Sequence, residues 1–428
     1  MSIGKNMPNG ANYELSTKSK NSSRVKYTGG KFDRISSEDN VTQTLRLLHE
    51  GKITTVTSSE PKGEDNMLSQ AMEMVKYGSP HDETFAEAAE VKDLKLFDSA
   101  QLNSKEMIDM ARSFVADLKA IDERLNVDCM IDYADEETTL KTSYGFDNSY
   151  RTSNWMMMAG ISLIQGDDKL DIWKFKRSIA PDFDLKKLKD EIVERLEYAK
   201  NVVPFEAGAY PVLFSPDEFG YVTNPIVKSL TGTAIYDKVS PWYDKLGQEL
   251  LDPRFTLVDD GTLERAVASL PFDKEGTPTR HNVLVQNGRI QDILMDRKVA
   301  AKLGKKSSGN ATSSGINPHC LIMDAGTKSF DELVKSIDYG LLIDGSMGAW
   351  SGNPYAGLVS GTIVMGLKIE KGKIVGRVKD CMYTVNAFEH LSKNLIDFSA
   401  EREFEPGFGG SASLYPYVLL GDVVISTK

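Results

Sequence analysis

The sequence predicts an α+β protein in two domains, a mixed α/β domain over residues 1–205 and a β-rich domain of antiparallel sheets over residues 206–428. In the first half, runs with helical periodicity and runs with strand-like alternation both occur. After residue 232, long helical patterns are scarce, glycine becomes frequent, and short strand-like runs are separated by turn dipeptides such as Asn287-Gly288. Such dipeptides between apolar runs are typical of hairpins.

The predicted N-terminal domain opens with two hairpins, whose turns we place at Gly29-Gly30 and Glu50-Gly51. Their strands are mostly polar, which indicates a sheet with one solvated face. Later strand-like runs cover four segments: residues 127–134, 137–145, 153–166 and 168–178.

Apolar residues at helical spacing predict three helices in the same domain, over residues 65–78, 104–125 and 184–201. Ser104 is the expected start of the second helix, with Glu106 close behind it.

Composition excludes several classes of protein. The 428 residues include 40% hydrophobic and 26% charged residues, and the formal net charge is −11. No basic patch suggests nucleic-acid binding, and no apolar run approaches the roughly 20 residues of a membrane span. The N-terminal stretch lacks the apolar core of a secretory signal. Three widely spaced cysteines favour a reducing compartment, so we expect a cytoplasmic protein that binds neither membrane nor nucleic acid.

The segment YPVLFSPDEFGYVTNPIVKSLTG, residues 210–232, predicts a short strand that runs directly into a helix. Ser215 suits the N-cap and Pro216 the first turn, and Asp217 and Glu218 stand where the helix dipole favours negative charge. Many enzymes keep catalytic groups at such a junction, yet this segment contains no histidine and no cysteine.

The residues alone provide no complete catalytic set. The five histidines include no pair at the i, i+4 spacing of a zinc helix. The string DGSMG, residues 344–348, lacks the first glycine of a nucleophile elbow. His319 and Cys320 are adjacent, and neighbouring strand residues point to opposite faces. We therefore interpret these serine and cysteine candidates as structural.

Several strings in the second half resemble the TldD/PmbA family (peptidase U62), whose members have been called modulators of DNA gyrase. They are PFDKEGTPTR, NGRI, AAKLG and SSGNA, together with YPVLFSP and SGNPYAG, and the resemblance covers about residues 11–428. In the TldD branch of the family, the helix after the PVL strand carries an H-E-x-x-x-H zinc motif, and a later cysteine joins the site. The PmbA branch, also called TldE, keeps the scaffold without these ligands.

The resemblance implies that this chain is PmbA/TldE-like. It places the degenerate start of the zinc motif at Ser215, Pro216, Asp217, Glu218 and Gly220. Gly409 stands where the later cysteine would be. We therefore expect no metal or other cofactor in this chain, and zinc only in a TldD-like partner.

The favoured hypothesis is a non-metal subunit of a heterodimeric metalloprotease that acts on unfolded or extended peptides. Such a subunit would contribute a peptide groove and a surface for its zinc-bearing partner or for a second copy of itself. The candidate groove strand is Gly345, Ser346, Met347 and Gly348, because small residues let another backbone approach closely. Alternatively, these glycines only form bulges and turns.

Two other functions remain open. One is a non-catalytic binding or regulatory homodimer, as the gyrase-related family name suggests. The other is a stand-alone hydrolase that uses a serine or Cys320 as its nucleophile.

Overall fold

The structure, a computed structural model, describes residues 7–60, 63–81, 84–166, 168–407 and 410–427. Within these ranges the chain forms eight α-helices and twenty β-strands. The predicted α+β class is confirmed, since helices and largely antiparallel sheets are combined and the second half is rich in strands.

The first half is built on a seven-stranded antiparallel sheet. Its strands are β1 (Asn12–Thr28), β2 (Lys31–His49), β3 (Lys52–Ser58), β4 (Ser79–Pro80), β5 (Asn126–Thr142), β6 (Asp147–Gln165) and β7 (Asp168–Ser178). The strand order is β4-β3-β2-β1-β5-β6-β7. Both predicted hairpin turns are confirmed, with positive φ at Gly29, Gly30, Glu50 and Gly51.

One strand prediction was wrong. The runs over residues 127–134 and 137–145 are not two strands, because residues 126–142 form the single strand β5. The acidic residues between the runs resembled a turn, but β1 and β6 pair with β5 continuously on its two sides.

Three helices belong to the first half: α1 (Glu64–Met74), α2 (Ser104–Lys119) and α3 (Leu185–Ala199). Helix α2 begins at Ser104, as predicted, and its N-cap is Asn103. The Asn103 side chain accepts hydrogen bonds from the backbone N–H groups of Lys105 and Glu106, and the Glu106 carboxylate accepts one from Asn103 N–H. This reciprocal capping box sets the start of the helix.

The second half is built on an eleven-stranded sheet. Its strands are β8 (Gly208–Phe214), β9 (Leu257–Asp260), β10 (His281–Gln286), β11 (Arg289–Ile290), β14 (Cys320–Met323), β15 (Tyr339–Met347), β16 (Leu358–Glu370), β17 (Lys373–Arg377), β18 (Cys381–Asn386), β19 (Leu395–Pro406) and β20 (Ala412–Thr427). A separate hairpin contains β12 (Ala311–Thr312) and β13 (Gly315–Ile316). Pairing of β8 with both β15 and β20 closes β8-β15-β16-β18-β20 into a ring.

The helices of the second half are α4 (Pro216–Ser229), α5 (Gly232–Tyr236), α6 (Arg297–Lys302), α7 (Phe330–Lys335) and α8 (Ala387–Lys393). Only α4, with 14 residues, exceeds two turns in the described part of this half. Its apolar stripe is fully buried against the strands of the second sheet, as the spacing of Phe219, Val222 and Ile226 predicts. No helix within the described ranges is both long and apolar enough to cross a bilayer.

The two sheets share an apolar core. Phe114 on α2, Ile192 on α3 and Leu342 on β15 belong to one cluster of buried side chains. All strands of the first sheet precede residue 205 and all strands of the second follow it. The domain boundary at this residue stays a prediction.

Candidate functional site

The junction between β8 and α4 has the predicted local structure. The Ser215 hydroxyl accepts a hydrogen bond from Glu218 N–H at 3.4 Å, and Pro216 occupies the first turn. Ser215 and Pro216 are both buried and line none of the cavities described below, so they shape the junction.

The outward face of α4 lines a cavity of about 600 Å³. Seven of its residues line this cavity, and two of them, Thr223 and Val227, are buried. The other five are Asp217, Gly220, Tyr221, Asn224 and Lys228. Their spacing repeats every three or four residues, which places them on one side of a helix. Of the predicted degenerate positions, Asp217 and Gly220 therefore face the cavity, whereas Glu218 points beneath the helix.

Two more cavities adjoin the first one. A cavity of about 830 Å³ lies between α4 and the seven-stranded sheet and shares Asp217 and Tyr221 with the first. Another, of about 450 Å³, shares Lys20 and Arg177 with the second cavity and Asn317 with the first. Because their walls are shared, we treat the three cavities as one inter-sheet groove.

The groove face of α4 does not fit a zinc ion. Zinc in proteins is held by cysteine thiolates, imidazoles and carboxylates. This face offers one carboxylate, Asp217, beside a phenol, an amide and the Lys228 ammonium, which repels a cation. Across the described residues, no group of three or more His, Cys, Asp or Glu side chains is arranged to hold a metal ion.

Gly409, the predicted substitute for the later cysteine, lies outside the described residues. The described residues on either side of that gap, Gly407 and Gly410, both line the groove.

Glu218 is the most perturbed acid on α4. It is 2% exposed, and burial raises the pKa of its carboxyl to about 7. Its Oε1 accepts a hydrogen bond from Ser346 N–H at 2.8 Å, and its Oε2 is buried without a hydrogen bond in the described structure. The Ser346 and Tyr383 hydroxyls are likewise buried without a hydrogen bond of normal geometry, although Ser346 lies near enough to lower the pKa of both Glu218 and Tyr383.

The predicted peptide strand lies beside this carboxylate. Gly345 and Ser346 stand at an irregularity in the pairing of β15 with β16, Met347 is 58% exposed, and Gly348 has a φ of +86°. Glu218 already accepts the Ser346 N–H, so a peptide strand at this position would have to compete for that donor. The assignment of this segment to peptide binding stays a prediction.

A buried charge cluster joins β7, α3 and β15, and it was not predicted from the sequence. Arg195 of α3 donates from Nε to Asp344 Oδ2 at 2.8 Å, and Lys174 Nζ lies 3.5 Å from the same oxygen. Burial alone would raise the pKa of Asp344, but the two cations hold it at about 2. Arg195 also donates to the Tyr417 hydroxyl at 3.2 Å.

The candidate nucleophiles are poorly placed for catalysis. Cys320 is fully buried, and burial raises the pKa of its thiol to about 12, which disfavours the reactive thiolate. His319 donates its backbone N–H to Asp259, and its ring Nε2 lies 2.7 Å from the Gly309 carbonyl oxygen. The Ser346 hydroxyl is enclosed by protein.

Comparison with known proteins identifies the family. The family model described as the PmbA/TldA metallopeptidase C-terminal domain matches residues 207–427, more than half of the chain. The chain belongs to the PmbA/TldD family.

Curated relatives agree with this membership. An Archaeoglobus fulgidus protein named metalloprotease is 29% identical over 228 residues, which are 52% of each chain. A Haemophilus influenzae protein named metalloprotease PmbA homolog is 28% identical over 298 residues, 66% of this chain and 64% of that protein. The chain thus spans about half to two thirds of the length of these relatives.

Solved structures share the fold. A crystal structure from Thermotoga maritima has a TM-score of 0.89 at 22% identity and covers 98% of this chain and 96% of its own. The structure of TldE from Thermococcus kodakarensis has a TM-score of 0.86 at 21% identity and covers 97% and 96% of the two chains.

Proposed function

We propose that this chain is the metal-free subunit of a two-subunit peptidase. In this role it holds an unfolded or extended peptide in the inter-sheet groove and presents a docking surface to a zinc-bearing TldD-like partner. The observation that carries the proposal is the groove face of α4, which borders a cavity of about 600 Å³ and offers no donor set for zinc. Membership of a metallopeptidase family supports the link to peptides.

The walls of the groove suit an extended peptide of varied sequence. Trp350 is 53% exposed, and its ring centroid lies 6.0 Å from that of Tyr221 across the first cavity. These two rings offer an apolar surface to side chains that a folded protein would bury. Asn224 on the same cavity supplies an amide group that can bind a peptide backbone.

A stand-alone hydrolase has less support, because Cys320 and the Ser346 hydroxyl are both enclosed. The regulatory homodimer differs from the proposed subunit in its partner, because it would bind a second copy of itself and not the zinc-bearing protein.

The proposal is tested with the purified chain, a family member that carries H-E-x-x-x-H, and their mixture. We expect no stoichiometric zinc and no peptide turnover from the chain alone. We expect a complex of the two proteins on size exclusion, with faster turnover of an unfolded peptide than the zinc-bearing protein shows alone. One tightly held zinc per chain, or turnover by the chain alone, would contradict the proposal. Self-association without binding the zinc-bearing protein would favour the regulatory homodimer.

Gly220 offers a sharper test of the groove. A Cβ at this position would meet nothing within 4 Å, so a side chain there enters open space without disturbing its neighbours. Gly220→Trp should therefore fill the first cavity and reduce peptide binding while the protein stays folded. Gly220→Ala is the matched control: it should leave binding unchanged and stabilise α4 by roughly 0.5–1 kcal/mol. Equal peptide binding by both variants would show that the peptide does not occupy this part of the groove.

A further inference from the structure

Arg177 on β7 is a cation without a counter-ion. Its side chain lines both the second and third cavities of the inter-sheet groove. In the described part of the chain, its one hydrogen bond runs from Nε to Asn154 Oδ1 at 3.4 Å, and no carboxylate lies within ion-pair distance. Burial accordingly lowers the pKa of its guanidinium, with no neighbouring acid to offset the effect.

Three other charged residues around these two cavities are already paired. Arg24 binds Asp132 through two hydrogen bonds of 2.7 Å each, and Glu136 lies 2.6 Å from Lys18 Nζ. Lys20 is the other cation without a partner. It lines the same two cavities as Arg177 and forms no ion pair with any described residue.

Acidic residues line the second cavity as well. Glu38 and Asp217 both lie there, and neither is within ion-pair distance of Arg177 or Lys20. Two unpaired cations thus stand where the second and third cavities join.

The surroundings of Arg177 suit an organic anion. A guanidinium presents a planar fork of N–H groups that matches a carboxylate with two parallel hydrogen bonds. Phe175 precedes Arg177 by two residues on the same face of β7, is 39% exposed, and lines the second cavity. The charge therefore lies next to an apolar surface of the groove.

We infer that Arg177, assisted by Lys20, binds a carboxylate of the peptide in the groove. The carboxylate is either the C-terminal α-carboxylate or the side chain of a glutamate or aspartate. The inference rests on the proposed function, because it requires a peptide in the inter-sheet groove. It adds a substrate class, namely peptides with a carboxylate beside an apolar side chain.

The test uses the full-length chain, alone and with its zinc-bearing partner, and measures the fluorescence anisotropy of labelled extended peptides. One peptide has a free C-terminal acid and one internal glutamate. A second ends in an amide, a third has glutamine in place of the glutamate, and a fourth carries both changes. We expect Arg177→Gln to raise the Kd of the acidic peptide at least about tenfold, which corresponds to about 1.4 kcal/mol for a lost charged hydrogen bond. Arg177→Lys should restore part of the affinity, and the doubly neutral peptide should bind wild type and Arg177→Gln alike.

Arg112→Gln serves as the control for net charge. Arg112 lies on the exposed surface of α2, paired with Asp109, and outside the three cavities. This variant removes the same charge and should bind every peptide as wild type does. Because Arg177 has no ion pair to lose, Arg177→Gln should fold normally, which thermal unfolding will verify.

Each outcome decides the inference. Loss of affinity with the amide identifies the α-carboxylate as the ligand, and loss with the glutamine peptide identifies the side chain. If all four peptides bind equally, or if Arg177→Gln binds the acidic peptide with wild-type affinity, the inference fails while the proposed function stands. If no peptide binds with or without the partner, the proposed function fails and the inference fails with it.

Discussion

Replacement of Glu218 by glutamine should stabilise the protein, and more so at pH 8 than at pH 5.5. Glu218 is enclosed beneath α4, with one oxygen bonded to Ser346 N–H and the other without a hydrogen bond. Glutamine keeps an oxygen for Ser346 N–H. Its amide nitrogen stands where the unbonded oxygen was, close to the Ser346 hydroxyl, and carries no charge to desolvate.

The size of the effect follows from the pKa. Burial raises the pKa of Glu218 from 4.5 to about 7. A folded-state pKa above the unfolded value means that the folded protein binds the proton more tightly. The ionised Glu218 carboxylate therefore costs the folded state no free energy below pH 4.5. This cost grows as the pH rises towards 7 and is complete above pH 7. At about 1.36 kcal/mol per pKa unit, the full penalty is about 3.4 kcal/mol, of which roughly 2 kcal/mol develops between pH 5.5 and 8.

The measurement is the free energy of unfolding of wild type and Glu218→Gln in urea at both pH values. Subtracting wild type from the variant removes the contribution of other titrating groups. Glu73→Gln, on the exposed face of α1, is the control for a glutamate-to-glutamine change and should show no pH-dependent difference. If Glu218→Gln changed stability by the same amount at both pH values, or lost stability at pH 8, the buried charge would not be the source of the penalty.

Two further predictions concern buried side chains. Asp344→Asn removes the buried acid shared by Arg195 and Lys174, and leaves Arg195 paired with Glu194 alone. The variant should lower the free energy of unfolding by about 3–5 kcal/mol in urea. Because the folded pKa of Asp344 is lowered, its contribution to the stability of wild type should persist above pH 4 and be lost as the pH falls towards 2. A free energy of unfolding of the variant within 1 kcal/mol of that of wild type would contradict this reasoning. Cys320→Ala should leave the peptidase rate of the two-subunit complex unchanged, whereas a rate more than tenfold lower in a normally folded variant would favour a thiol hydrolase.

Local features of the fold could be predicted from the sequence because neighbouring residues determine them. The Gly29-Gly30 turn, the Ser215 cap and the buried stripe of α4 each depend on a few consecutive side chains. The start of α2 at Ser104 was predicted, whereas its N-cap, Asn103, was not identified. The spacing of three residues between Asn103 and Glu106, which completes a capping box, is the signal in the sequence that indicates this cap.

The candidate site could be predicted only in part. The sequence identified α4 and the absence of histidine on it, but the bond from Ser346 to Glu218 spans 128 residues and the pair of Arg195 with Asp344 spans 149. No local periodicity reports contacts of this kind. One signal was present: Asp344 directly follows the buried run Leu341–Ile343, and an acid next to a buried strand needs a partner.

Arg195 and Arg177 differ in whether an acidic side chain neutralises their charge. Arg195 is almost fully buried, and Asp344 compensates its charge at 2.8 Å, so this arginine serves the fold. Arg177 is half-buried beside open space and has no acid to compensate it. A guanidinium whose acid is buried with it is already neutralised, whereas one that faces an open cavity without an acid can still bind an anionic ligand.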